Sequence, residues 1–141
     1  MQTKVIVPLA LLAILFSPVF SMAEDVLIIA HKGVADSSLD GDDIKQIFLG
    51  QKTTWSDSSK IIFVVQDRTK AGDAFLKKYL QKTATQYDTY WKKQVFTGKG
   101  RAPYSFSSNQ ELVDFVSRTP GAIGYVYIGT NTGSTKIITV H

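Results

Sequence analysis

The 141-residue chain contains no cysteine. That excludes disulfides, thiolate nucleophiles and sulfur-ligated metal sites, so packing alone must hold the fold. Histidine is almost as scarce, since one of the two is the final residue, His141. No carboxylate pair, serine elbow or metal-ligand spacing stands out. Asp40, Asp42 and Asp43 surround Gly41 without the ligand periodicity of a calcium loop. The expectation is a protein that is not an enzyme and needs neither metal nor cofactor. Internal repeats and low-complexity tracts are missing too, which removes the solenoid and disordered classes. Charge of one sign is in modest excess, 16 Lys and Arg against 12 Asp and Glu. A balance that mildly basic allows anionic ligands but does not imply nucleic acid.

Only one long apolar run is present, Val5 to Phe20, preceded by Lys4 and broken by Pro8 and Pro18. Ser21-Met22-Ala23 then puts small residues at the −3 and −1 positions of a cleavage site. Residues 1–23 therefore read as a cleaved secretory signal peptide and 24–141 as one domain, periplasmic or secreted. The rival reading is a retained membrane anchor, but the run is short for a span of ~20 residues. Without cysteine there is no lipid anchor on that residue. No membrane insertion is expected once the leader is removed, and the remaining domain carries a net charge of about +3.

The domain itself alternates strand and helix patterns. Asp25 to Ala30 is a short apolar run suited to a buried strand, followed by His31-Lys32-Gly33. Asp40 is a predicted N-cap for a helix to about Leu49, with Ile44, Ile47 and Phe48 on one face. Gly50 falls where a left-handed C′ residue is wanted, and Trp55 in the next loop is predicted to fold back over the core. Lys60 to Val65 is a second strand, and the polar turn Gln66 to Asp73 feeds a helix whose face is Phe75, Leu76, Tyr79 and Leu80. Thr83 or Thr85 can cap a third helix through Phe96, with Tyr87, Tyr90, Trp91 and Val95 apolar. Ser107 or Ser108 can cap a fourth, ended by Thr119-Pro120-Gly121. Ala122 to Ile128 and Lys136 to Val140 complete about four strands, flanked by four helices in an α/β layer.

Four stretches in order, VLIIAHKG, IFLG with TTW, YWKKQVFTGKGRAP and TPGAIGYV, make the domain similar to the phosphate ABC-transporter substrate-binding proteins. It resembles small periplasmic members about the size of one lobe. The resemblance implies a single three-layer lobe of a periplasmic-binding-protein-like (type II) fold. It also implies a phosphate or similar oxyanion as ligand. In the family, the anion loop carries an arginine and then a glycine-serine-glycine-threonine run at a helix start. Here only Arg68 matches, in DRTKAGDAF, and the hydroxyls of that run have no counterpart.

The residues themselves offer one anion site. Arg68, Thr69, Lys70 and Gly72 are predicted to lie where the second strand gives way to a helix N-terminus. There, unpaired amides, a guanidinium and a hydroxyl can meet an oxyanion. His31 and Lys32 would join them if the first strand ran parallel to the second. The simpler alternative is a surface turn with a weak Asp67–Arg68 pair. The loop GKGRAP, with Lys99 and Arg101, lacks P-loop spacing and reads as a helix stop with solvated charges. Two functions follow: an oxyanion-binding module carried by Arg68, Thr69, Gly72, His31 and Lys32, or an envelope interaction module with a protein partner or a second copy.

Overall fold

The computed structural model describes residues 2–4 and 26–141. The expected leader therefore lies outside the described residues, apart from residues 2–4. In chain order the elements are β1 (Val26–Ala30), β2 (Ser38–Leu39), α1 (Gly41–Phe48), β3 (Ile62–Gln66) and α2 (Lys70–Phe75). There follow α3 (Ala84–Phe96), β4 (Tyr104–Phe106), α4 (Asn109–Arg118), β5 (Ala122–Tyr127) and β6 (Lys136–Val140). Leu76–Leu80 extends α2 as a π turn, closed by Gln81 in the left-handed region at φ 51°.

The helix starts form where hydroxyl or carboxylate side chains can satisfy first-turn amides. Asp40 caps α1 in a reciprocal capping box with Asp43, and Thr83 caps α3 in another with Gln86. Thr69 and Ser108 cap α2 and α4 through the amides of Gly72 and Glu111. α1 ends in a Schellman motif: Gly50 at φ 73° donates to Ile47 O, and Gln51 donates to Gln46 O.

A single mixed sheet runs in the order β2-β6-β1-β5-β3-β4. β3 is parallel to both β4 and β5, and β1 is antiparallel to both β5 and β6. Two buried clusters line its two faces. One gathers Ile28, Phe48, Phe75, Trp91, Ile123 and Tyr125 under α1, α2 and α3. The other gathers Ile29, Val64, Leu112, Val116 and Val126 under α4. Neighbouring residues of one strand, such as Tyr125 and Val126, go to opposite clusters, as a pleat requires. The three-layer α/β lobe expected from the sequence is what forms, with six strands rather than about four. β2 and β4, two and three residues long, carry too little pattern to be read in advance. Trp55 is the expected cover: it is 2% exposed and its indole Nε1 donates to Gly121 O at 3.0 Å.

Candidate functional site

Three parallel strands, β3, β4 and β5, end together, and two helices begin there. Three residues separate β3 from α2, and two separate β4 from α4. Crevices beyond the carboxyl ends of strands are where open α/β sheets bind ligands.

Gln66, the last residue of β3, organises this end. It is 5% exposed. Its amide nitrogen Nε2 donates to Asn109 Oδ1 at 2.8 Å and to Tyr125 O at 3.1 Å. Asn109 Oδ1 also accepts the Tyr127 amide at 3.2 Å, which fixes the orientation of both amide side chains. The Gln66 backbone N–H donates to the Tyr125 hydroxyl at 2.9 Å. Burial raises the Tyr125 pKa, the hydrogen bond to Gln66 opposes the rise, and Asp67 and Asp73 add to it. The phenol therefore stays neutral at physiological pH and acts as a clamp between β3 and β5. Tyr87, donating to Phe48 O at 2.7 Å, is likewise held neutral by burial.

Beside Gln66 lies a cavity of about 330 Å³ at the junction of α2 and α4. Thr69, Lys70, Ser107, Ser108 and Asn109 line it, and no carboxylate does. The first two amides of each helix have no partner within the helix. Lys70 and Ala71 in α2 and Asn109 in α4 bring such positions to the wall. Both helix dipoles direct their positive ends to this spot. Glu111 in the first turn of α4 offsets part of that field from the neighbouring crevice.

The expected site residues do not all come together. Thr69 lines the carboxylate-free cavity. Arg68 and Gly72 line a different one of about 230 Å³, where Asp67, Asp73 and Asp88 outnumber the guanidinium. The Gly72 amide is already committed to Thr69 Oγ1 at 3.0 Å. Glycine is required there because a Cβ would meet Gln66 O at 2.6 Å, so its role is close helix–strand packing. Arg68 holds a left-handed backbone at φ 55°, uncommon for a non-glycine residue, at the corner between β3 and α2.

His31 and Lys32 are a correction. β1 is antiparallel to β5 while β3 is parallel to it, so the carboxyl end of β1 meets the amino end of β3. His31 N donates to Ala122 O at 2.9 Å, at the start of β5. A strand length of about 15 Å therefore separates His31 from Arg68, and they cannot share one small ligand. His31 Nδ1 accepts the Gly33 amide at 3.0 Å, as part of its own turn. Ser107, Ser108 and Asn109 were visible in sequence only as a helix cap. Nothing local tied them to Thr69 some forty residues earlier.

A family model described as a PBP superfamily domain matches residues 18–137. The chain belongs to that superfamily. Solved structures share the fold at low identity. PstS from Borrelia burgdorferi matches at 19% identity and TM-score 0.65, covering 82% of this chain and 47% of that one. An ABC-type phosphate transport receptor from Vibrio cholerae matches at 18% identity and TM-score 0.56, covering 82% and 45%. A phosphate ABC transporter substrate-binding protein described with bound phosphate, from Clostridium perfringens, matches at 21% and TM-score 0.52, covering 82% and 44%. No curated protein matches this chain. The chain thus forms a single small lobe of the PBP superfamily fold and spans less than half the length of each of these structures.

Proposed function

We propose that this chain is a periplasmic, non-enzymatic solute-binding module that holds phosphate or a similar small oxyanion at the α2–α4 junction. The supporting observation is the convergence of two capped helix N-termini on one cavity lined by Lys70 and by no carboxylate. Amides of the first turns, the hydroxyls of Thr69 and Ser108, and the Lys70 ammonium are the donors, while the Ser107 hydroxyl donates to Glu111 Oε2 at 3.4 Å. The helical run beginning at Lys70 continues through the π turn to Leu80, so α2 is not an isolated turn. The phosphate named in the descriptions of the Vibrio cholerae and Clostridium perfringens structures agrees with this ligand class. Arg68 is assigned to the rim, because its cavity is dominated by Asp67, Asp73 and Asp88. The leader-like sequence pattern of residues 1–23 supports the periplasmic part of the proposal.

Calorimetric titration with inorganic phosphate tests it. Lys70→Ala is expected to weaken binding by about tenfold to a hundredfold, the range of a lost hydrogen bond to a charged group. Arg68→Ala should weaken it less than Lys70→Ala. Absence of binding heat in the unmodified protein, or equal affinity in Lys70→Ala, would overturn the assignment. A larger loss in Arg68→Ala than in Lys70→Ala would move the ligand to the neighbouring cavity.

A further inference from the structure

The end of α3 presents an unusual surface. Phe96, the last helical residue, is 92% exposed, and Val95 beside it is 48% exposed. Around them stand Lys92, Lys93, Lys99 and Arg101, all exposed. Between Thr89 and Gln110 the chain has these four cations and no Asp or Glu. The nearest carboxylate, Asp88, is paired with Lys92 at 2.9 Å. On the helix, Lys92 lies four residues before Phe96 and three before Val95, and Lys93 lies three before Phe96, so cations flank the apolar pair directly.

This tip is held in shape. Gly98, at φ 72°, donates to Val95 O at 3.1 Å, and Lys99 N donates to Gln94 O at 2.9 Å, a Schellman closure. Thr97 Oγ1 donates to Lys93 O at 2.8 Å. Gly100 then sits against the indole of Trp91, where a Cβ would lie 3.2 Å from the ring. The loop base is therefore fastened to the core while Phe96 points away from it. The hydrophobic contact that often completes such a motif is absent, because its two positions are Gln94 and Lys99.

We propose that the α3 tip docks peripherally on an anionic lipid surface, with Phe96 and Val95 entering the headgroup region and the four cations meeting lipid charge. Lys92 shares its charge with Asp88, but Lys93, Lys99 and Arg101 lie in a stretch of chain without Asp or Glu, and this excess of positive charge complements an anionic bilayer. An aromatic wedge ringed by Lys and Arg is what interfacial binding uses. A protein partner fits less well, since a stable interface buries ~800 Å² per side and the apolar part here is two side chains. No helix among the described residues is long and apolar enough to cross a membrane, so the contact is peripheral. The proposal stands apart from the oxyanion cavity and survives if phosphate does not bind.

Flotation of the domain spanning residues 24–141 with vesicles tests it, comparing pure phosphatidylcholine with a mixture containing about a third phosphatidylglycerol. Partition is expected to the anionic vesicles only and to fall in high salt. Replacing Lys99 and Arg101 together by Gln should lower the partition coefficient about thirtyfold, at about 1 kcal/mol per basic residue. Phe96→Ser should lower it severalfold more than Phe96→Trp, with unchanged circular dichroism in each variant. The proposal fails if the unmodified domain does not float with anionic vesicles. It fails equally if Phe96→Ser and the double Gln variant float as well as the parent. Retention on heparin without flotation would instead identify a polyanion site and overturn it.

Discussion

Gly121→Ala is expected to lower the free energy of unfolding by about 2–5 kcal/mol. Two costs add. Gly121 holds φ at 82°, a left-handed conformation that costs a residue with a Cβ about 1–2 kcal/mol. The new methyl would also lie 2.3 Å from Lys60 O, so backbone must separate from backbone, an overpacking cost of about 1–3 kcal/mol. The shift would not be confined to one atom. Gly121 O accepts both the Ile62 amide at 3.1 Å and the Trp55 indole at 3.0 Å, so it ties the start of β3 and the Trp55 cover to the entry of β5. Urea denaturation provides the measurement, and Gly98→Ala is the internal control. Gly98 has a similar φ of 72° but open space around its Cβ position, so it should lose only the conformational part, about 1 kcal/mol. Equal losses at the two positions would mean that the close approach at Lys60 does not constrain the fold.

That glycine shows why some of this molecule could be read from its sequence. TPGAIGY is a local signal: a helix stop, a positive-φ turn and a buried strand follow one another within a few residues. The caps at Asp40, Thr83 and Ser108, the Gly50 stop and the burial of Trp55 are local in the same sense, and each forms as expected. What escaped was set by pairing between distant segments. The direction of β1 depends on its partners β5 and β6, about a hundred residues away, and it decided that His31 and Lys32 face the wrong end of the sheet. The junction cavity was hidden for the same reason, because Gln66 meets Asn109 only once β4 lies beside β3. Gly72 misled in a different way. A glycine at a helix start can serve an anion or a close strand, and sequence alone does not separate these uses.

Phe75→Ala is expected to cost about 3–5 kcal/mol, a fifth or more of the 5–15 kcal/mol typical of a domain. Phe75 is fully buried and stacks on Tyr125, with centroids 3.9 Å apart and planes 7° from parallel. Phe48 lies 4.6 Å away on its other contact and Tyr79 5.3 Å away. Three elements meet at this ring, so a collapse that fills the vacated volume would have to move α1, α2 and β5 together. The cavity would therefore stay largely open and the cost would sit high in the usual range. Phe75→Leu keeps much of the volume and should lose less than about 2 kcal/mol, the difference measuring the stacking and the residual void. The consequence reaches the junction cavity through Tyr125, whose hydroxyl accepts the Gln66 amide and whose carbonyl accepts Gln66 Nε2. With the stack gone, Tyr125 is free to tilt and the Gln66–Asn109 bridge between β3 and α4 loosens. Urea unfolding combined with phosphate titration separates the two effects. Phe75→Leu should retain phosphate affinity within about threefold, while Phe75→Ala should lose affinity as well as stability. A Phe75→Ala protein within about 1 kcal/mol of the parent would show that the aromatic stack is not what joins α2 to the sheet.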